Sequence, residues 1–169
     1  MHSQKKIGIY MSLLAWIVVM VVLTYFFSKY LEAQNNPNTK PENQVGSGGV
    51  RQVKLYANRA NHYVLNATIN NVEVTMLLDT GASYVTVPAS LAKKMGLRKG
   101  APTKVSTANG VVTAYMTQLD QVVIGNMVFN DITAMINPHA ADNQVLLGMS
   151  LLKHVDMLYN YGTLIMQQS

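Results

Sequence analysis

The sequence contains no cysteine and only a few acidic residues. Without cysteine, the chain cannot form disulfide bonds, a thiol nucleophile or the cysteine sites of zinc fingers. Its histidines are scattered, and no two of them have the spacing of a metal-binding pair. They are His2, His62, His139 and His154. The sequence therefore predicts no metal site and no cofactor.

Basic residues outnumber acidic ones, 13 to 8, which gives a formal charge of +5. The densest basic group is Lys93, Lys94, Arg98 and Lys99. This group has no interleaved aromatic residues and belongs to no nucleic-acid-binding motif. We interpret it as the solvated face of a short helix and the loop that follows, and we predict no nucleic-acid partner.

A long uncharged segment occupies residues 7–27. As a helix rising about 1.5 Å per residue it would cross the hydrocarbon core of a bilayer, about 30 Å thick. The alternative is a cleaved signal peptide, but the segment exceeds the usual apolar length, and Leu31-Glu32-Ala33 is a poor cleavage site. Lys5 and Lys6 before the segment predict a cytoplasmic N-terminus over residues 1–6. The rest would lie outside the cytoplasm, in the periplasm of a Gram-negative cell.

Residues 28–49 are predicted to be a flexible linker. The stretch from Gln34 to Gly49 is rich in Asn, Gln, Pro and Gly and has too little apolar surface to offset the entropy of ordering it. The folded domain is therefore expected to occupy residues 50–169.

The folded part shows the period-two pattern of short β-strands. A hairpin turning at Asn70-Asn71 has a second strand, from Val72 to Leu78, that runs directly into Asp79. Asn109-Gly110 is a strong signal for another hairpin. A short helix is expected before Gly96 and another after Gly148. Many short strands with little helix predict an all-β domain, a small barrel or a sandwich.

Asp79 is the most unusual residue of this domain, because an apolar strand delivers its carboxylate into a tight turn. A carboxylate in such a position needs hydrogen bonds or a partner. Thr80, Gly81 and Ser83 could supply hydroxyl and backbone donors. Taken alone, Asp-Thr-Gly also fits an aspartate that caps its own turn through backbone amides.

The flanking residues favour a catalytic role. Two leucines followed by Asp79-Thr80-Gly81-Ala82-Ser83 resemble the active-site loop of the retropepsin-like aspartic proteases. Val145-Leu146-Leu147-Gly148 resembles the apolar-apolar-Gly motif beneath that loop, and Asn109-Gly110 stands where the family places its flap. The similarity extends from about Tyr63 to Gln167, and is greatest to bacterial single-domain members with an N-terminal membrane anchor. It implies a small closed β-barrel with one or two short helices, preceded by a transmembrane helix.

The resemblance also implies an activity and a partner. Aspartic proteases use two carboxylates that share one proton, and this chain has a single Asp-Thr-Gly. A homodimer is therefore expected, in which Asp79 meets its symmetry mate and Thr80 braces the two loops. The expected substrate is an extended peptide, with apolar side chains preferred by default.

One part of the family pattern is missing. Viral members pair an acidic residue soon after the catalytic loop with an arginine after the apolar-apolar-Gly, where this chain has Ser83 or Tyr84 and Met149. Two other functions stay open at this point. One is a catalytically silent dimeric module that binds peptides on the same fold. The other is a monomeric hydrolase that uses Asp79 with His139 or His154.

Overall fold

The computed structural model describes residues 2–107, 110–140 and 144–168, in two compact units that divide after Asn35. The first unit is one helix, α1, from His2 to Asn35. Its segment Tyr10–Asn35 is long and apolar enough to cross a membrane, and it covers most of the predicted span. A helix satisfies its own backbone hydrogen bonds, which allows such a segment to lie in lipid.

The second unit is predominantly β. Its strands are β1 (Glu42–Val45), β2 (Arg51–Tyr56), β3 (Val64–Ile69), β4 (Val72–Leu78), β5 (Val85–Pro88), β6 (Pro102–Thr107), β7 (Gly110–Ile124), β8 (Met127–Asn137), β9 (Gln144–Leu147), β10 (Val155–Asn160) and β11 (Thr163–Gln168). Two short helices, α2 (Ala89–Lys94) and α3 (Met149–Leu152), interrupt them, and a 3-10 turn spans Ser47–Gly49.

The larger sheet closes on itself. Its strand order is β3-β4-β9-β5-β8-β7-β6, and β3 also pairs with β7 through Thr68 and Val123. The predicted closed barrel is therefore confirmed, with β6 extending beyond it as one arm of a hairpin with β7. A second sheet, in the order β1-β2-β11-β10, contributes Val53, Leu55, Leu164 and Met166 to the same buried core.

The turn residues adopt the backbone conformations that their sequence predicts. Asn70 and Asn71 both have positive φ, 46° and 65°, as a tight hairpin between β3 and β4 requires. Gly96 has φ of 67° and ends α2 in the left-handed conformation. Local sequence thus fixes the hairpins and helix ends that shape the barrel.

The structure corrects the predicted linker over residues 28–49. Residues up to Asn35 are helical, and from Asn36 onward the chain belongs to the second unit, so that the folded domain begins there and not at residue 50. Asn38 is 2% exposed, and β1 pairs with β2 in antiparallel register. The composition wrongly predicted a flexible segment, because amide hydrogen bonds and strand pairing to distant residues hold it in place. Burial of its own apolar side chains contributes little.

The Asn38 side chain makes hydrogen bonds to the backbone of two strands, β2 and the start of β3. Its Nδ2 donates to the Val64 carbonyl at 2.7 Å and to the Tyr56 carbonyl at 2.9 Å. Its Oδ1 accepts from the Tyr56 amide at 2.7 Å. One side chain thereby joins β2 to the start of β3, two strands that do not pair with each other.

We predict that Asn38→Ala lowers the free energy of unfolding by about 2–4 kcal/mol, because three hydrogen bonds are lost and buried backbone groups are left without partners. Urea unfolding of the purified chain measures this. Asn130→Ala is the control, since Asn130 is exposed and its side chain accepts a single long bond among the described residues, 3.4 Å from Gln121. An equal effect of the two substitutions would contradict this role of Asn38.

Candidate active site

Asp79 lies at the end of β4, where β4 runs parallel to β9. Leu77 pairs with Leu146 and Leu78 with Leu147, and the Asp79 amide donates to the Leu147 carbonyl at 3.1 Å. The last ladder bond therefore anchors the backbone of Asp79, and the chain leaves the sheet immediately afterwards. The side chain is half-buried at the rim of the barrel.

The loop folds back on the Asp79 carboxylate. The Gly81 amide donates to Oδ1 at 2.9 Å, and the Ala82 amide donates to the Asp79 carbonyl at 3.2 Å. A Cβ added at Gly81 would lie 3.2 Å from the same Oδ1, a closer approach than most side chains tolerate. A glycine at this position lets the amide approach the carboxylate, and the hydrogen bond fixes the direction of one carboxylate oxygen.

The apolar-apolar-Gly motif lies directly beneath this loop. A Cβ on Gly148 would lie 2.3 Å from the Tyr84 carbonyl oxygen and 2.7 Å from that of Ala82. The Met149 amide donates to the Ala82 carbonyl at 2.8 Å, and the Ser150 amide to the Ser83 carbonyl at 3.0 Å. The start of α3 is thus hydrogen-bonded to the underside of the Asp79 loop.

Ser150 adds a contact that the sequence did not indicate. Its Oγ accepts a hydrogen bond from the Val85 amide at 2.9 Å, at the point where the loop re-enters the barrel as β5. A lone serine in a helical turn carries no local signal for this role. Only the fold brings it under the loop, 65 residues along the chain from Val85.

A cleft of about 730 Å³ separates the Asp79 loop from the β6–β7 hairpin. Gly110 opens β7 with φ of 110°, whereas Asn109 lies outside the described residues. Thr80 is exposed. The cleft is lined by Asp79, Gly81, Ala82, Ser83, Tyr84, Thr86, Thr103, Lys104, Val105, Ser106, Ala114, Met135, Asn137 and Leu146.

The other candidate residues lie elsewhere. Neither His139 nor His154 lines the Asp79 cleft, and His154 borders a separate cavity together with Asp131. No group of three His, Asp or Glu side chains that could hold a metal ion occurs among the residues the structure describes. Within this part of the chain, Asp79 therefore enters the cleft as a single carboxylate with no histidine beside it.

Comparison with known proteins identifies the family and the fold of this chain. A family described as "gag-polyprotein putative aspartyl protease" matches residues 65–154, more than half of the chain and all of the loop and motif described above. The chain belongs to this family of retropepsin-like aspartic proteases. The family and the fold support an aspartic-type hydrolase.

Several bacterial proteins are similar to this chain. A crystal structure of a retropepsin-like aspartic protease from Rickettsia conorii is 30% identical, with a TM-score of 0.59 over 76% of this chain and 94% of that one. An uncharacterised protein of Rickettsia prowazekii is 32% identical over 165 residues, 89% of this chain and 68% of the relative. An uncharacterised protein of Sinorhizobium is 33% identical over 115 residues, 66% of this chain. This retropepsin-like chain spans about half the length of the Sinorhizobium relative, 49%.

Proposed function

We propose that this protein is an aspartic endopeptidase whose catalytic centre consists of Asp79 from each of two copies of the chain. The observation that carries the proposal is the Asp79 loop, held by Gly81 above and Gly148 below, at the floor of a peptide-sized cleft. Among the described residues that line the cleft, Asp79 is the only carboxylate. Since the chemistry needs two, the second has to come from a second copy.

The proposed mechanism follows from two carboxylates within hydrogen-bond distance. Like charges that close cannot both ionise, so the pair holds one proton. The ionised member takes a proton from a water molecule, whose oxygen attacks the scissile carbonyl carbon, while the protonated member polarises the carbonyl oxygen. Collapse of the tetrahedral intermediate returns a proton to the leaving amine. No covalent link between enzyme and substrate is formed.

Two exposed features support the proposed dimer. Thr80, next to Asp79, is exposed, and is available to hydrogen-bond to its counterpart across a two-fold axis. Strand β10 is an edge strand that presents Leu158 and Tyr159, 58% and 71% exposed. An edge strand with exposed apolar side chains is suited to pairing with another chain.

Tyr63 links the β10 strand to the strand that leads into the Asp79 loop. Burial raises the pKa of the Tyr63 hydroxyl, and the neighbouring Tyr159 on β10 raises it further. The Tyr63 carbonyl accepts from the Leu78 amide at 3.0 Å, one residue before Asp79. Pairing of two copies near β10 would therefore occur near the two Asp79 loops, as the mechanism requires.

The proposed substrate is an extended peptide bound between the β6–β7 hairpin and the floor of the cleft. Val105 on the hairpin and Leu146 on the floor supply apolar walls. Backbone groups along the cleft would pair with the peptide as with an added strand. Asn109 and Gly110 are proposed to form the tip that closes over it.

We also propose that α1 anchors the domain in the cell membrane, with the N-terminus cytoplasmic and the peptidase domain on the other side. The exposed apolar surface of Tyr10–Asn35 and the lysines before it support this orientation. Retention of the intact chain in membranes after alkaline carbonate extraction is expected. A shortened product beginning after α1 and found only in the soluble fraction would contradict an uncleaved anchor.

Cleavage of a mixed peptide library by the detergent-solubilised chain tests the activity. We predict an acidic to near-neutral optimum, because the carboxylate pair must retain one proton, and that proton is lost as the pH rises. The measurement is the rate of peptide cleavage from pH 4 to 9. Undiminished cleavage at pH 9 would contradict a shared-proton mechanism, and absence of cleavage throughout would favour a peptide-binding module.

A further inference from the structure

The segment between Asp79 and Asp120 contains no acidic residue. It includes α2, the loop after it and the β6–β7 hairpin over the cleft. Its charged residues are all basic: Lys93, Lys94, Arg98, Lys99 and Lys104. The sequence alone predicted an ordinary solvated face, but the fold brings one part of this segment, Thr103 to Ser106 and Ala114 of the hairpin, to the wall of the cleft.

These cations are exposed. Among the described residues, none of them forms an ion pair within 4.0 Å. The Lys99 ammonium lies 4.7 Å from the centre of the Tyr115 ring, which fixes one positive charge at the base of the hairpin. The charge of this surface is therefore not neutralised within the described part of the chain.

Lys104 brings this charge to the mouth of the cleft. In the β6–β7 register Thr103 faces Ala114 and Val105 faces Val112, and these pairs lie on the more buried side of the hairpin. Lys104 is on the exposed side and still borders the cleft, which places it at the rim. Besides Asp79, it is the only charged residue among the described residues that line the cleft.

We propose that Lys104 selects peptide substrates that carry acidic side chains flanking the scissile bond, with the surrounding cations attracting such peptides to the cleft. A cation at the rim contacts residues next to the cleaved bond and leaves the apolar floor to the residues at the bond itself. Clefts bordered by one sign of charge raise the local concentration of oppositely charged ligands. The inference rests on the proposed peptidase function and names its substrate class.

The two-fold symmetry of the proposed dimer makes the preference symmetric. Each copy would supply one Lys104 at its own rim, one on either side of the paired Asp79 residues. An acidic residue on either side of the scissile bond should then be favoured. A peptide with acidic residues on both sides should be favoured most.

The experiment compares three matched fluorogenic peptides that share an apolar scissile bond and carry flanking Glu, Gln or Lys. Cleavage by the full chain is measured at pH 6, where glutamate is ionised and lysine is charged. We expect kcat/KM for the Glu peptide to exceed that for the Gln peptide about three- to tenfold at low salt, with the Lys peptide slowest. The preference should shrink as salt increases, since ions screen exposed charges.

Lys104→Gln should lower the Glu-to-Gln ratio of kcat/KM markedly toward one, with only the weaker attraction by the surrounding cations left. Lys40→Gln makes the same change of charge at an exposed site outside the cleft and should leave the ratio unaltered. A ratio near one in the unmodified chain, or a ratio that Lys104→Gln leaves unchanged, would overturn the proposal.

Measurements of peptide binding test this inference separately from the proposed peptidase activity. The dissociation constants of the same peptides, labelled, are measured by fluorescence anisotropy on Asp79→Asn, which needs no turnover. A preference for the Glu peptide that Lys104→Gln removes in this background would support the inference even if no peptide is cleaved. Cleavage without any acidic preference in rate or binding would reject the inference and leave the proposed peptidase intact.

Discussion

Asp79→Asn should lower kcat/KM for peptide cleavage by about 10³-fold or more without unfolding the protein. The amide cannot take a proton from water, and in a homodimer both members of the pair are replaced at once. The geometry of the loop should survive, because an asparagine Oδ1 can accept the Gly81 amide that Asp79 accepts at 2.9 Å. Hydrolysis of a fluorogenic peptide measures the loss, and urea unfolding should agree with the unmodified protein within about 0.5 kcal/mol.

Asp120→Asn is the matched control for this substitution. Asp120 is exposed on β7 and does not line the cleft, so the same change of charge should leave peptide cleavage close to that of the unmodified chain. Equal cleavage by Asp79→Asn and Asp120→Asn would mean that the activity comes from another site or from a contaminant. It would remove Asp79 from the mechanism.

Gly148→Ala should destabilise the domain by about 3 kcal/mol or more and abolish peptide cleavage with it. The new methyl group would meet the Tyr84 carbonyl oxygen at 2.3 Å and the Ala82 carbonyl oxygen at 2.7 Å. Both contacts are with backbone, so neither can be relieved by rotating a side chain. The loop would have to lift away from α3, and the bonds from Met149 and Ser150 that hold it would lengthen.

Gly96→Ala is the control that distinguishes destabilisation by a steric clash from destabilisation by a strained backbone conformation. Gly96 has φ of 67°, and an added Cβ would meet nothing within 4 Å, so only the left-handed strain of about 1 kcal/mol is expected. Thermal or urea unfolding compares the two variants. If Gly148→Ala were no more destabilising than Gly96→Ala, the packing of the motif against the active-site loop could not be as tight as the contacts imply.

The barrel was predictable because its sequence signals are local. Alternation along β3 and β4 fixes which side chains are buried, and the turn at Asn70-Asn71 fixes their register. The position of Asp79 follows, since an apolar strand that ends in Asp-Thr-Gly places its carboxylate at the barrel rim. The pairing of this loop with Gly148 required the family resemblance, because nothing local connects residues so far apart in the chain.

The structure of the segment from Asn36 to Tyr56 could not be predicted from local sequence signals. Asn38 is buried among polar groups that it satisfies itself, and no apolar pattern marks it. Strand β1 is polar except for the exposed Val45, and it is ordered by its neighbour β2. A polar composition predicts disorder correctly only where the segment has no hydrogen-bonding partners elsewhere in the fold. Here distant strands supply those partners, and a local sequence pattern cannot reveal them.

The requirement for two copies is tested most directly by mixing. A fixed amount of unmodified chain is equilibrated with an equal amount of Asp79→Asn under conditions in which subunits exchange, and peptide cleavage is compared with that of the unmodified chain alone. If each site needs Asp79 from both copies, mixed pairs are inactive, and cleavage should fall to about half for random pairing in a tight two-fold dimer. Cleavage that stays constant as Asp79→Asn is added would show that a single copy carries a complete site.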